Sequence, residues 1–306
     1  MTKIFKSVFY AVNGTLSVMI YFVNTVVLSI PLILFSFLKL IPNKHWRRAV
    51  SGVVDGIATL WISINNMNQA VFSRTQFKLQ GDYRLAIDQW YLVISNHQSW
   101  VDILVLQRIF NRNIPFLKFF LKKNLIYVPF LGLAWWALDF PFMQRYSKAF
   151  IKQNPHLKGK DLETTRKACK KFEFKPVSIM NFVEGTRFEP HKAKKQDDYQ
   201  HLLRPRSGGI AFVLNAMGER LTKLVNVTIY YPQGIPSYWD FVSGKVKTIV
   251  VDVQTIDIKS LLASGVYSSA YFTDDTHKQL FQDWINQLWK EKDEKLKQFA
   301  LEHSQT

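Results

Sequence analysis

The stretch WYLVISNHQSWVD, residues 90–102, decides the fold of this chain. Its first part is apolar and rich in aromatic and β-branched residues, which predicts a buried strand. A polar turn containing His97 follows, and Asp102 opens an apolar-periodic segment that predicts a helix. The pattern therefore predicts a strand-to-helix turn, a place where side chains commonly reach a functional surface.

His97 and Asp102 lie five positions apart on this turn. A carboxylate there can hold an imidazole in one tautomer and leave its other nitrogen free to take a proton from a hydroxyl. The same spacing also arises by chance, when a histidine ends a strand and an aspartate starts a helix. Other segments of the chain are needed to decide between these two interpretations.

The composition indicates one large domain, with or without an anchor. The chain has 306 residues, of which 48% are hydrophobic and 15% aromatic, so it can bury a sizeable core. Lys and Arg number 40 against 23 Asp and Glu, and the resulting charge of +17 favours nucleic acid or an anionic membrane as partner. The single cysteine, Cys169, excludes an intrachain disulfide. The histidines show no ligand spacing with acids, so we predict no metal site.

The N-terminus favours the membrane. Residues 7–38 carry no charged side chain, and this run exceeds the roughly 20 apolar residues that cross a bilayer. A single tilted crossing would place its more basic C-terminal flank in the cytoplasm. A helix pair broken near Asn24 or Pro31 would instead dip into the membrane and return, and a buried helix pair of a soluble core is the non-membrane alternative. We predict a membrane anchor over residues 1–50 and the main domain over residues 51–306.

Strands and helices alternate along the main domain. Strand patterns occur at residues 77–82, 90–95, 177–183, 224–231 and 246–253, and helical patterns at residues 101–112, 161–174, 208–217 and 276–301. This alternation predicts an α/β domain whose sheet is covered by helices. The aromatic stretch of residues 125–143 contains Pro129, Gly132 and Pro141, which oppose a second spanning helix. It predicts ordinary core, a wall for a long apolar ligand, or a face resting on lipid.

A second polar segment, Glu184-Gly185-Thr186-Arg187, follows another apolar strand. Gly185 permits an unusual backbone conformation, and the planar guanidinium of Arg187 can bind a phosphate or carboxylate through two hydrogen bonds. Glu184 can orient that arginine or accept a ligand hydroxyl. Farther on, Arg206 precedes two glycines at the start of a predicted helix, an arrangement typical of an anion site.

In order and spacing these segments resemble the glycerophospholipid acyltransferases of the PlsC type, the lysophosphatidate acyltransferase family. The matching positions lie within a motif core of residues 90–232 and comprise Asn96, His97, Asp102, Lys122, Leu125, Gly132, Arg145 and Glu184 to Arg187. Two positions depart from the family pattern: Asp139 stands where a glycine is usual, and Asn226 stands where many members have proline. Residues 182–188, 204–209 and 227–232 resemble the branch that contains several eukaryotic lysophospholipid acyltransferases and the YihG-type bacterial acyltransferases. The C-terminal part also resembles the YihG type.

The resemblance implies a glycerol-3-phosphate acyltransferase-like αβ domain with a mixed sheet, and an acyl transfer in phospholipid biosynthesis. The acyl group would pass directly from acyl-CoA or acyl carrier protein, with no bound cofactor, to the free hydroxyl of 1-acyl-glycerol-3-phosphate. Another lysophospholipid is the alternative acceptor. His97 is the expected general base and Asp102 the residue that fixes its imidazole. The expected substrate-binding residues are Lys122, Arg145, Glu184, Gly185, Thr186, Arg187 and Arg206.

The predicted location is the cell inner membrane, with the catalytic domain on its cytoplasmic face and in contact with anionic lipid. The competing interpretation of the +17 charge is a non-catalytic basic protein that binds RNA or a membrane. The chain has no RNA-recognition signature of basic and aromatic residues in fixed order, so we expect no nucleic-acid partner.

Overall fold

A computed structural model of the protein describes residues 3–143, 175–194, 196 and 198–304. The strands in this part of the chain are β1 (Gln76–Gly81), β2 (Tyr91–Ser95), β3 (Leu117–Phe119), β4 (Leu121–Lys122), β5 (Phe142–Met143), β6 (Ser178–Phe182), β7 (Lys223–Tyr230) and β8 (Thr248–Asp257). Six of them form a mixed sheet in the spatial order β1-β8-β7-β2-β6-β3, and β4 pairs with β5. The neighbours β7, β2, β6 and β3 are parallel, whereas β8 is antiparallel to β7.

Helices cover both faces of this sheet. They are α1 (Lys3–Phe37), α2 (Lys44–Asn68), α3 (Val101–Phe110), α4 (Leu131–Ala137), α5 (Pro190–Ala193), α6 (Gly208–Met217), α7 (Tyr238–Val242), α8 (Ile258–Ala263) and α9 (Asp275–Ser304). Side chains of β2 alternate between two buried clusters, one containing residues of α3 and the other residues of α6 and α9. Burial on both faces explains why Tyr91 to Ile94 of this strand are all apolar. The predicted mixed sheet covered by helices is confirmed.

The N-terminal helix α1 is continuous. It passes through Asn24 and Pro31 without a break, so the structure does not show the helix break near those residues that was one of the alternatives. The chain turns after α1, in a 3₁₀ turn at Leu38–Leu40, and returns as α2. Asn24 lies within the helix because its amide donates to Asn65 Oδ1 at 2.8 Å and to the Trp61 carbonyl at 3.0 Å, both on α2.

The exposed surface of α1 is apolar, whereas its buried surface is small and polar. Buried positions include Gly14, Ser17 and Asn24, and large aliphatic and aromatic side chains project outward. Such an arrangement is typical of helices that face lipid, where small and polar residues mediate helix contacts. The segment Lys3–Leu40 is long and apolar enough to cross a membrane, which favours membrane association.

α1 also packs on the main domain. A Cβ at Gly14 would lie 2.9 Å from the Trp239 ring, so glycine allows α1 to approach α7 closely. The Asn13 amide donates to the Ser243 carbonyl at 2.9 Å on the same side. The boundary predicted at residue 50 falls inside α2. The division into an anchor and a main domain stays a prediction.

The aromatic stretch of residues 125–143 contains a 3₁₀ turn at Lys123–Tyr127, the short helix α4 and the strand β5. Within α4, Ala134 and Trp135 face a cavity, whereas Leu133 and Trp136 are exposed. The stretch is therefore a wall with one inner and one outer apolar face. The helix predicted over residues 161–174 lies outside the described residues.

Candidate active site

Four chain segments meet where the parallel strands end. His97 follows β2, Glu184 follows β6, Lys122 lies just beyond β3, and Tyr231 follows β7 directly. The register places Ser95 of β2 beside Phe182 of β6, so the first two segments leave the sheet side by side. Ligands of open α/β sheets commonly bind at this edge, outside the carboxyl ends of the strands.

His97 and Asp102 are in direct contact. The Nδ1 atom of His97 lies 2.8 Å from Oδ2 of Asp102, which also accepts the backbone N–H groups of Gln98 at 2.6 Å and Ser99 at 2.8 Å. Asp102 is fully buried and His97 is only slightly exposed. The carboxylate thus fixes the imidazole through Nδ1, and Nε2 is the nitrogen left to act on a substrate.

Tyr231 binds the second oxygen of this carboxylate. Its hydroxyl donates to Oδ1 of Asp102 at 2.5 Å. Burial, together with the charge of Asp102, raises the pKa of Tyr231 well above its ordinary value, so the hydroxyl keeps its proton and remains a donor. Sequence reasoning did not select Tyr231 as a site residue. The available signal was its place at the end of the predicted strand over residues 224–231.

Neighbouring polar side chains hold the turn in place. The Asn96 side chain exchanges two hydrogen bonds of 2.9 Å with the backbone of Ile229, which ties the turn after β2 to β7. The Ser99 hydroxyl donates to the Pro236 carbonyl at 2.6 Å and accepts from the Val101 N–H at 3.2 Å. Ser99 is therefore a structural residue of the turn, and these two hydrogen bonds engage its hydroxyl.

Glu184 is buried next to the backbone of His97. Its two carboxylate oxygens accept the backbone N–H groups of His97 and Leu203, each at 3.3 Å. Burial raises the pKa of Glu184 to about 8, against the opposing effects of these two hydrogen bonds and of Lys292. Lys292 is itself buried, which lowers its pKa to about 7, and it donates to the Val227 carbonyl. Glu184 thus positions the backbone of two loops.

The turn after β6 carries Arg187, whose side chain is half-buried. Gly185 adopts a φ of 71°, in the left-handed region that glycine enters without strain. Thr186 Oγ1 accepts a hydrogen bond of 2.9 Å from Lys192. The guanidinium of Arg187 lies over the Trp100 ring, 4.6 Å from its centroid. Trp100 belongs to the turn that carries His97, so this contact joins the two polar motifs.

Two cavities meet at His97. An apolar cavity of about 560 Å³ lies between α1, α2, α3 and α4, and a polar cavity of about 610 Å³ is lined by Lys122, Gly185, Thr186 and Arg187. His97 and Phe182 line both. The Phe182 ring stacks on the imidazole with centroids 3.9 Å apart. A molecule with an apolar chain and an anionic head can therefore present its junction to His97.

The structure brings together most of the predicted site residues. Arg206 is an exception: its side chain is exposed and is not among the described residues that line either cavity, although its backbone N–H donates to the Val183 carbonyl at 2.9 Å. Arg145 and Cys169 lie outside the described residues. The roles of all these side chains in binding and catalysis stay predictions.

A model of the acyltransferase family matches residues 76–231, more than half of the chain. The chain belongs to the acyltransferase family. The matched region begins at β1 and ends at Tyr231, so it contains His97, Asp102, Lys122, Tyr231 and the segment Glu184 to Arg187, whereas the parts of α1 and α2 that line the apolar cavity precede it. The predicted family is confirmed, and the YihG-type branch stays a prediction.

Relatives with curated names support the same placement. The acyltransferase is 26% identical over 275 residues to lysocardiolipin acyltransferase 1 of Gallus gallus, a match that covers 84% of this chain and 65% of that protein. It is 24% identical over 227 residues to 1-acyl-sn-glycerol-3-phosphate acyltransferase 3 of Arabidopsis thaliana, which covers 68% of this chain and 53% of that protein. The chain thus spans less than two thirds of the length of these relatives.

A solved structure shares the fold. The crystal structure of the 1-acyl-sn-glycerophosphate (LPA) acyltransferase PlsC from Thermotoga maritima aligns with 90% of this chain and 95% of its own, with a TM-score of 0.50. The two sequences are 17% identical. The similarity therefore concerns the arrangement of the helices and the sheet.

Proposed function

We propose that this acyltransferase moves a fatty acyl group from an acyl thioester, acyl-CoA or acyl carrier protein, to the free hydroxyl of a lysophospholipid. The proposed acceptor is 1-acyl-glycerol-3-phosphate, as in phospholipid biosynthesis. One observation carries the proposal: the His97–Asp102 pair lies where an apolar cavity meets a basic one. A long acyl chain fits the first cavity, and a phosphate group fits the second.

The chemistry follows from the geometry of His97. Nε2 takes the proton of the acceptor hydroxyl, and the resulting alkoxide oxygen bonds to the thioester carbonyl carbon. The carbon–sulfur bond then breaks, and the leaving thiolate takes the proton back from the imidazolium. Asp102 stabilises that imidazolium through Nδ1, and Tyr231 holds Asp102 in place. The acyl group therefore passes directly to the acceptor, without an acyl-enzyme. The hydrogen bond from the Ser99 hydroxyl to the Pro236 carbonyl supports this, because it argues against Ser99 as a nucleophile.

Arg187 is the proposed ligand of the acceptor phosphate. Its guanidinium lies over the Trp100 ring, 4.6 Å from the centroid, and lines the polar cavity, where its N–H groups can donate to phosphate oxygens. Lys122 lines the same cavity and adds positive charge. Arg145 and Arg206 remain proposed assistants in phosphate binding.

The proposed site of action is the cytoplasmic face of the cell inner membrane, in a bacterium of the YihG-type branch. The outward apolar face of α1 supports contact with lipid. The outer face of α4 continues that surface, since the Phe37 and Trp136 rings lie 6.4 Å apart. An anionic leaflet suits the +17 charge.

Acylation of a different lysophospholipid is the second candidate function. The relatives named lysocardiolipin acyltransferase 1, from Gallus gallus and Mus musculus, each match 84% of this chain, a larger share than the plant 1-acyl-sn-glycerol-3-phosphate acyltransferase matches. Their names support an acceptor with a larger phosphate-bearing head than lysophosphatidate.

A matrix of acceptors and donors tests both candidates. The purified full-length protein is incubated with lysophosphatidate, monolysocardiolipin or other lysolipids, and with acyl-CoA or acyl carrier protein donors. We expect transfer to lysophosphatidate, and a loss of about 100- to 10,000-fold in His97→Ala. His277→Ala, a surface histidine paired with Asp274, is the control and should retain full turnover. Faster transfer to monolysocardiolipin favours the second candidate, and no transfer to any lysolipid contradicts both.

A further inference from the structure

Asp139 ends α4 in a backbone conformation that usually requires glycine. Its φ is 60°, and two hydrogen bonds close the helix end, from the Asp139 N–H to the Trp136 carbonyl at 3.0 Å and from the Phe140 N–H to the Trp135 carbonyl at 2.9 Å. This is the Schellman arrangement, in which a left-handed residue follows the helix and glycine is preferred. An aspartate here therefore calls for a reason beyond the turn itself.

Two lysines bind the three residues around this turn. Lys39 Nζ donates to the Ala137 carbonyl at 2.6 Å and to Oδ2 of Asp139 at 2.8 Å. Lys118 Nζ donates to the Leu138 carbonyl at 2.5 Å. We refer to Lys39 and Lys118 as the lysine clamp. A glycine at position 139 would keep the turn and remove the carboxylate that Lys39 binds.

The residues held by the clamp form a wall of the apolar cavity. Leu138 and Phe140, on either side of Asp139, both line it. Phe140 stacks near Phe119 with centroids 6.5 Å apart, and Phe119 stacks near Phe182 at 6.1 Å. Since Phe182 stacks on His97, a continuous series of rings connects the clamped wall to the catalytic histidine.

The lysine clamp also connects this wall to the end of α1 and to the sheet. Lys39 lies in the turn that directly follows α1, and Lys118 lies on β3 of the sheet. A second ion pair, 2.5 Å long, joins Asp55 of the returning helix α2 to Lys175, which precedes β6. Burial lowers the pKa of Lys118 to about 8, and the charges of this ion pair also act on it. The Lys39 side chain is 12% exposed and that of Asp139 is 24% exposed, so solvent screens their attraction only in part.

We propose that Asp139 is a specificity-determining residue, which holds Leu138 and Phe140 against the end of α1 through Lys39 and thereby limits the length of acyl chain that reaches His97. This inference rests on the proposed function, since it assumes that the apolar cavity receives the acyl chain. The wall is fixed by a contact between two segments that are 100 residues apart in sequence. Loss of that contact lets the wall recede, and longer chains then fit.

The test measures the acyl-chain profile of the full-length protein in detergent or lipid, with a graded series of saturated acyl thioesters competing for one lysolipid acceptor. Asp139→Asn removes the charge and keeps a residue type that tolerates a left-handed φ. Asp139→Gly removes the carboxylate and relieves the backbone, so it should fold. Lys39→Met removes the partner, and Lys39→Arg keeps the charge. Lys278→Met, in the exposed pair with Asp275, is the matched control.

We expect Asp139→Asn, Asp139→Gly and Lys39→Met each to raise turnover of longer chains relative to the preferred chain by at least about threefold, since pocket contacts with single methylenes are worth a factor of this size or more. Lys39→Arg and Lys278→Met should keep the wild-type profile. Folded, active variants with an unchanged profile would overturn the proposal, even if their melting temperatures fall. A wild-type protein that acylates no lysolipid would instead remove the proposed function on which it rests.

Discussion

The Tyr231 hydroxyl donates to Oδ1 of Asp102, while the other oxygen of the same carboxylate binds the His97 imidazole. The two partners come from different strand ends, and they approach a side chain that water does not reach. Together with the N–H groups of Gln98 and Ser99, Tyr231 therefore fixes the orientation of Asp102, and through it the orientation of the proposed base. This relationship can be tested without substituting either His97 or Asp102, the proposed catalytic residues.

Tyr231→Phe should lower kcat by about tenfold, because a hydrogen bond to a buried charge is worth roughly 1.5–3 kcal/mol. The KM for the acceptor should change little, since Tyr231 is not among the described residues lining either cavity. Steady-state kinetics with one lysolipid measures both. Tyr230→Phe, one position earlier on β7 and packed near Phe299, is the control. Equal rates in Tyr231→Phe and the wild type would contradict a positioning role.

Trp100→Leu should raise the KM for a phosphate-bearing acceptor by about threefold to tenfold. The ring supports the Arg187 guanidinium, and such a contact contributes roughly 0.5–2 kcal/mol. The KM for the acyl donor should stay near its wild-type value. Tyr83→Leu, which removes a similar contact with Arg84 far from the site, should leave both constants unchanged. A larger effect on the donor than on the acceptor would argue against Arg187 as the phosphate ligand.

Ala58→Leu should shift the acyl-chain preference toward shorter chains. Ala58 is buried on α2 and lines the apolar cavity, so added methyl groups occupy space proposed for the chain. Competition between thioesters of graded length gives the profile. Ala49→Leu, on an exposed position of the same helix, serves as the control. If Ala58→Leu slows every donor equally, the cavity does not measure chain length.

Glu184→Gln should become more stable relative to the wild type as the pH rises from about 5 to about 8. Native Glu184 has a pKa of about 8 and keeps its proton in this range, whereas the unfolded chain releases it above its ordinary value of 4.5. Stability contributed by the raised pKa is thus present below 4.5 and lost as the pH rises through 8. The difference should change by at most about 1.4 kcal/mol per pH unit.

Thermal unfolding of both proteins at several pH values provides the measurement. Above pH 8 the difference should level off, because Glu184 is then ionised in both states. Glu294→Gln, which replaces an exposed acid of α9, should follow the wild type at each pH. A melting temperature difference independent of pH would show that Glu184 is ionised in the native protein.

Local patterns were sufficient to predict much of the fold. The continuous apolar run of β2 and the periodicity of α6 and α9 are visible within each segment, and so is the strand-to-helix turn that carries His97 and Asp102. β3 was not predicted, because three residues give too little pattern and its existence depends on pairing with β6.

Contacts between distant segments could not be predicted from local sequence patterns. Asp102 and Tyr231 are 129 positions apart, so their hydrogen bond follows only from the parallel order of β2 and β7. Asn24 suggests a helix break when α1 is considered alone, and its amide is satisfied by Asn65 once α2 folds back. Asp139 departs from the usual glycine, and its partner Lys39 lies in a segment interpreted as an anchor.

The inward surface of α1 has a practical consequence for making this protein. Val18, Tyr21 and Leu32 of this helix form part of the boundary of the apolar cavity. A shortened version that starts at residue 51 would therefore expose the interior of the cavity to water. A water-soluble form suited to crystallisation should instead keep α1 and exchange its outward residues, such as Phe5, Val12 and Met19, for polar ones.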